Sequence, residues 1–351
     1  MSTTNDQALD PSAVPIEYLK EGPDWLAVFN PRVQRVMDVK LLARFPHDKV
    51  VCSVRLSPDA SRVAVGYDGG VNVYDLEGGL KTSMPFTYAD EPPARNYVRS
   101  VAFSPDGALL AAGSEDNQIR IWTLPSAEPL HTLAAHRREV YALDFAPDGT
   151  LVSGSGDRSL RLWSLSPTSP SPADPDSTVL AVEEDRAKPD TGITALAVSP
   201  DGAHVAAGAL DGSIRVWKRE GGTALVRWAA HAKTVYGLRW VGKALVSGSL
   251  DRTVKRWEVD LEDGSEGGRC VRTMEHKDYV LATATVQYGL MQRAASATRD
   301  GRLVLWDLKT GEALFLVMGH RNSVTSVDLN SSLVVSGSGD GEVRVWNYSV
   351  V

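Results

Sequence analysis

Two cysteines in 351 residues, Cys52 and Cys270, are too few for a disulfide framework and suit a reducing compartment. Neither stands in a Cys-x-x-Cys pair, and no His-x-x-His spacing occurs among the seven histidines, so the ligand pattern of a zinc site is missing. The 30 glycines include no Gly-x-x-x-x-Gly-Lys-Ser/Thr loop, and with it goes the usual phosphate cradle. No run of eighteen apolar residues is present, and Met1-Ser-Thr-Thr-Asn-Asp-Gln has neither the basic start nor the apolar stretch of a signal peptide. Basic charge is also in deficit: 37 Lys and Arg face 44 Asp and Glu, a net charge of −7. A large basic stripe for duplex DNA is therefore not expected, because phosphate neutralisation dominates such affinity. No basic cluster reads as a nuclear import signal. These gaps leave a soluble cytosolic or nuclear protein without membrane, cofactor or metal as the expectation.

What is abundant is repetition. An Asp is followed six positions later by Trp at Asp116/Trp122, Asp157/Trp163, Asp211/Trp217, Asp251/Trp257, Asp300/Trp306 and Asp340/Trp346, and Asp68 has Tyr74 in the Trp place. The intervals between these Asp residues run from 40 to 54. Each copy holds short alternating apolar stretches separated by turn residues, as in Tyr141-Ala-Leu-Asp-Phe, Ala146-Pro-Asp-Gly, Leu151-Val-Ser-Gly-Ser and Ser159-Leu-Arg-Leu-Trp163. Seven copies of four strands each predict an all-β, seven-bladed β-propeller. In such a meander the Asp turn and the connection to the next blade lie on one face, here called the top.

Five copies carry His before their first strand: His47, His136, His231, His276 and His320. Four of these also have Ser four positions before the Asp: Ser153, Ser247, Ser296 and Ser336. Copies two and four lack the His and have Ala112 and Ala207 in the Ser place. The pattern predicts a side-chain network, Asp to His, His to Ser, Ser to the Trp indole, whose polar groups appear together or leave together because a half-filled network is costly. The predicted sets are His136, Ser153, Asp157 and Trp163; His231, Ser247, Asp251 and Trp257; His276, Ser296, Asp300 and Trp306; and His320, Ser336, Asp340 and Trp346. Asp, His and Ser together suggest a hydrolase, but a trio recurring at fixed spacing in several copies reads as a structural bolt, whereas a catalytic set is unique and sits at a pocket. No catalytic residue is assigned.

With these motifs the chain resembles the WD40 repeat family over residues 38–351. The dipeptide that names the family occurs as Trp306-Asp307. A narrower likeness rests on Asn30-Pro, Asp38-Val-Lys-Leu, Val50-Val-Cys-Ser-Val, Tyr97-Val-Arg-Ser-Val-Ala-Phe, Val246-Ser-Gly-Ser-Leu-Asp-Arg, Gly319-His-Arg-Asn-Ser-Val and Arg344-Val-Trp-Asn-Tyr. In that order they are similar to the propeller of fungal Tup-type, Groucho-like transcriptional corepressors. The resemblance implies a non-catalytic scaffold in the nucleus, with the cytoplasm as alternative. It implies that DNA-bound repressors dock on the top face, with a tetratricopeptide-repeat subunit as a further protein partner; the acidic net charge adds a basic segment such as a histone tail as a candidate partner and argues against direct nucleic-acid contact. A WD40 adaptor of another pathway, a ubiquitin-ligase substrate receptor or a signalling scaffold, is the alternative. Members of that group carry a helical oligomerisation segment ahead of the propeller; here about 37 residues precede it, so the propeller is expected to be monomeric.

Top-face positions beside each first strand and before each turn Asp hold Cys52, Tyr97, Glu115, Tyr141, Tyr236, Tyr279, Leu281, Arg299 and Asn322. Four tyrosines at one rim suit a binding surface, since Tyr offers apolar area with a polar tip. Residues 1–23, polar with scattered Pro, are expected to be disordered, and 24–351 to form the propeller. Insertions are expected at 166–177 and 260–269 on the bottom face and at 86–96 and 183–191 on the top. The last copy has room for three strands only, so Val39-Lys-Leu-Leu-Ala-Arg-Phe is expected to supply the fourth beside residues 343–348.

Overall fold

A computed structural model describes residues 2–5, 9–35, 37–86, 96–165, 177–181, 191–261 and 267–350. The expected insertions at 166–177, 260–269, 86–96 and 183–191 lie largely outside the described residues. The protein is an all-β, seven-bladed β-propeller: the strands form seven sheets in chain order, each built on a four-strand meander or its equivalent. Two compact units divide it, one of Met1–Val51, Tyr236–Asp260 and Gly268–Val351, the other of Cys52–Val235 and Leu261–Gly267.

In the second unit, blade 3 shows how the sequence dictates a sheet. Its strands are Val140–Phe145, Leu151–Ser155, Ser159–Trp163 and Ser177–Ala181. Every residue of Leu151–Ser155 is buried, which explains its composition of small and apolar residues: both faces of this strand are packed. The close approach falls on Gly154, where an added Cβ would stand 2.6 Å from Ile193 Cγ2 of the next blade. Gly66 against Val98 and Gly113 against Val140 repeat the arrangement. The Ser-Gly-Ser signature thus marks where a β-branched residue of one blade enters the next.

In the first unit, Met37–Pro46 pairs antiparallel with Glu342–Val350, with Val343 opposite Phe45 and Tyr348 opposite Val39. The expected fourth strand of blade 7 is therefore present and longer than its sequence signal.

The described residues of the N-terminal segment, 2–5 and 9–23, are ordered where disorder was expected over 1–23. Ser2–Asn5 lies parallel to Arg272–Glu275 at the edge of blade 5. Leu19–Glu21 pairs with Leu26–Val28, and Leu26–Phe29 pairs with Phe315–Met318, adding two strands to blade 6. Leu9, Val14 and Val28 join the core cluster of Val246, Met274 and Leu316. Beyond them, Trp25 meets Trp346 edge-on at 5.7 Å, and buried Arg344 donates to Asp24 Oδ2 at 2.7 Å. Burial of these scattered apolar side chains orders a segment whose polarity suggested otherwise. Its short, irregular path gave no periodicity to read.

Candidate partner-binding face

The side chains behind the Asp turns fix the geometry of the rim. In blade 3, Trp163 Nε1 donates to Ser153 Oγ at 2.9 Å, Ser153 Oγ and His136 Nε2 lie 2.7 Å apart, and His136 Nδ1 is 3.0 Å from Asp157 Oδ2. The proton order follows from chemistry. The indole can only donate and the carboxylate can only accept. Nδ1–H therefore donates to Asp157, and in the neutral imidazole the Ser hydroxyl donates to Nε2. Burial disfavours the Asp157 carboxylate, but His136, Ser159 and the Arg137 N–H all donate to it and hold its pKa well below the ordinary range. Blade 7 repeats the chain: Trp346 to Ser336 at 3.1 Å, Ser336 with His320 at 2.8 Å, His320 with Asp340 at 3.1 Å. Its carboxyl is likewise held low, against burial, by His320 and the Arg321 and Glu342 N–H groups.

The other sets vary. Trp306 donates to Ser296 at 2.7 Å and Ser296 lies 3.0 Å from His276 Nε2, while Asp300 is held by Thr298 Oγ1 and Arg302. Trp257 donates to Ser247 at 2.8 Å, and Asp251 accepts from Thr253 Oγ1 at 2.6 Å; His231 is buried. Blade 2 corrects the expectation that the polar groups leave together. With no His, Asn96 takes its place: Asn96 Nδ2 donates to Asp116 Oδ2 at 2.8 Å, and the Asp116 N–H donates back to Asn96 Oδ1 at 3.1 Å. Arg120 pairs with the same carboxylate at 2.7 Å and lies over the Phe86 ring, which stacks on Trp122. Blade 4, also without His, has Asp211 accepting from Ser213 at 2.6 Å and paired with Arg227 at 3.2 Å.

The rim itself is shaped by a bulge. The first strands of blades 2, 3, 4, 6 and 7 each skip one residue in register, at Arg99, Tyr141, Thr194, Leu281 and Thr325. A bulge re-aims its side chain. In blades 4 and 7 the bulged threonine donates to a carbonyl, Thr194 to Val235 and Thr325 to Val51, both at 2.6 Å. In blades 2, 3 and 6 the bulge presents Arg, Tyr or Leu.

Each unit has its own rim set. In the second, Arg99 lies 5.2 Å from the centre of the Tyr97 ring and donates to Glu115, from Nε at 2.9 Å. Cys52 adjoins them. Burial, with Glu115 and Asp68 acting the same way, pushes its thiol up to about 11 against Arg99, so it stays protonated and weakly nucleophilic. Tyr141 is half-buried, close to Gly156. In the first unit, Arg299 lies 4.3 Å from the Tyr279 ring centre and its Nε donates to Asp278 at 3.0 Å. Tyr236 and Asn322 are exposed, and Leu281 is half-buried. Two blades thus place a tyrosine ring under a guanidinium pinned by a carboxylate, but from different positions: Glu115 and Arg299 both precede their turn Asp, whereas Arg99 is the bulged residue of its strand and Asp278 precedes Tyr279. Arg99 and Asp278 were not among the rim residues expected from the sequence. Arg99 sits at the bulge, where strand alternation breaks, and Asp278 precedes the first strand, so neither was marked by a period.

Among the described residues, one group of ligand-type atoms gathers within 4.8 Å: His320, Asp340 and Glu342. Glu342 is already paired with Arg44 and Arg344.

The repeat profile described as WD domain, G-beta repeat, matches residues 39–75, 91–123, 127–164, 186–218, 222–258 and 311–347. Residues 280–307 lie outside these matches and form a blade of the same build. The chain is similar to the transcriptional repressor rco-1 of Neurospora crassa, with 38% identity across 97% of this chain and 57% of that protein. It is similar to the general transcriptional corepressor TUP1 of Saccharomyces cerevisiae, with 32% identity across 98% of this chain and 57% of that protein. Protein groucho of Drosophila melanogaster is 27% identical over 86% of this chain and 39% of its own length. The chain therefore spans a little over half the length of rco-1 and TUP1.

Proposed function

The chain belongs to the WD40 repeat family, and from that premise we propose that it is a non-catalytic nuclear scaffold through which DNA-bound repressors silence transcription. Likeness along nearly the whole chain to a transcriptional repressor and a general corepressor carries the reading. The rim geometry supports docking at the Asp-turn ends of the blades. A guanidinium over a tyrosine, itself pinned by a carboxylate, is a preorganised contact that loses little freedom when a partner covers it. Absence of catalysis agrees with the recurrence of the Asp–His–Ser set and with a Cys52 thiol held protonated by burial. The partners on this reading are proteins: a repressor segment first, a histone tail or a tetratricopeptide-repeat subunit as further ligands.

The test is repression of a reporter by a tethered DNA-binding repressor, with direct affinity and circular dichroism measured alongside. Tyr97→Ala, Tyr279→Ala, Tyr141→Ala and Tyr236→Ala are the variants, and Leu80→Ala, exposed at the opposite end of blade 1, is the control. A hot-spot aromatic contributes about 2 kcal/mol or more, so loss of about thirtyfold in affinity is expected for at least one folded tyrosine variant. Unchanged affinity in all four would move the site elsewhere.

A further inference from the structure

Blade 6 has a first hairpin unlike those of blades 1–4. There, first strands of six residues end in turns such as Ser57–Ser61, where Ser57 Oγ donates to Asp59 at 2.5 Å and accepts from the Arg62 N–H at 2.9 Å. Blade 6 instead runs nine residues, Val280–Tyr288, before Met291–Thr298 returns. Three further residues extend the strand by roughly 10 Å. The tip is apolar and open: Tyr288 is 69% exposed, Leu290 99% and Met291 44%. Contiguous exposed apolar residues of this kind mark interaction sites more often than isolated ones do.

Beneath the tip lies a groove of about 290 Å³ lined by Val286, Tyr288, Met291, Arg293, Ser331 and Tyr348. Arg293 is only 8% exposed. The Met291 sulfur lies 3.4 Å from it, the Tyr348 ring centre 5.7 Å away, and the Tyr348 hydroxyl oxygen faces the guanidinium, while no carboxylate of a described residue stands within ion-pair distance. Tyr348 does not supply the missing charge. Burial pushes its phenol up to about 12, against Arg293, and its hydroxyl donates to the Asn330 carbonyl. A buried guanidinium without an anion is costly, and a carboxylate brought by a ligand meets it in bidentate geometry.

We propose that this groove, at the end of blade 6 away from its Asp turn, binds a short peptide segment of a partner protein in which a carboxylate pairs with Arg293 and a neighbouring aromatic or aliphatic side chain packs on Tyr288, Leu290 and Met291. The surface is separate from the Tyr279–Arg299–Asp278 rim, because the first turn and the Asp turn cap opposite ends of the same strands.

The full chain is used to select random dodecapeptides displayed on phage, and the enriched consensus is synthesised with a fluorescein label for anisotropy. Enrichment of Asp or Glu beside Phe, Trp or Leu is expected. Leu290→Asp, at a side chain with no packing to lose, should weaken the consensus peptide at least tenfold, as should Arg293→Met provided its circular dichroism is unchanged. Asn or Gln in place of the peptide acid should weaken binding equally if a side chain supplies the carboxylate; amidation of the C-terminus should do so if the terminus supplies it. Tyr279→Ala should leave this binding intact. The proposal is overturned by no enrichment, by a consensus without acid, by equal binding to Leu290→Asp, or by sedimentation showing a dimer that Leu290→Asp abolishes, which would give the patch to a second copy of the chain.

Discussion

At the residue scale the informative comparison is between Asp157 and Asp116. The first ends a chain of hydrogen bonds that begins at the Trp163 indole; the second is tied to Asn96, Ser114 and Arg120. Asp157→Ala leaves a buried imidazole N–H without its acceptor, a loss of about 1–3 kcal/mol. Asp116→Ala leaves a largely buried guanidinium without its anion, and removing one partner of such a pair costs about 3 kcal/mol or more. Chemical denaturation should therefore rank Asp116→Ala as at least as damaging, the reverse of what the missing His suggests. Acid should act through the same carboxyls. Asp157 and Asp340 are held below their ordinary pKa in the folded state. Their contribution is present above the unfolded value of about 3.9 and is lost as pH falls through it toward the folded value. Melting temperature measured from pH 7 to pH 3 should drop more steeply below about pH 4 for the native chain than for Asp340→Asn. Parallel curves would show that this carboxyl is not coupled to folding.

At the scale of elements, legibility followed the chemistry of each signal. The four-part network could be read because His, Ser, Asp and Trp each recur at fixed places, and the strand from 39 to 45 because a three-strand last copy demanded a fourth. Asn96 was not legible as a stand-in for His, since Asn is also an ordinary turn residue. Nor was the bulge, which turns Arg99, Tyr141 and Leu281 by register and not by residue type. The N-terminal strands were hidden for a third reason: three- and four-residue elements are too short to show a period. They nevertheless cover the edge of blade 6, and an uncovered edge invites pairing with other chains. Deleting residues 1–23 removes Leu9 and Val14 from the core and the half-buried Leu19 from its flank, and should lower the melting temperature. Deleting 1–45 also removes most of the outer strand of blade 7 and should lower it further and cause aggregation. Scanning calorimetry with light scattering checks both, and a 1–23 deletion as stable as the intact chain would mean that the packed N-terminus adds nothing.

At the scale of the molecule the decisive quantity is charge. Seven blades are assembled from repeats that bury their apolar strands, and the charges of the whole chain sum to −7, with pI near 5.6. Among the rim arginines, Arg99 is neutralised by Glu115 and Arg299 by Asp278, so the cations of the proposed docking surface are not available as a phosphate track. Duplex binding needs several unpaired cations, each releasing counterions. A scaffold for DNA-bound repressors built this way should reach DNA only through a partner. In gel-shift measurements near physiological salt, the chain alone should leave a labelled duplex unshifted at micromolar concentration, where non-specific binders with Kd near 10⁻⁶ M begin to shift it. Adding a cognate DNA-bound repressor should produce a slower complex, and Tyr97→Ala or Tyr279→Ala should diminish that complex without affecting the repressor's own shift. A shift by the chain alone that weakens steeply with added salt would instead show a basic track, and the recruitment reading would give way to direct DNA binding.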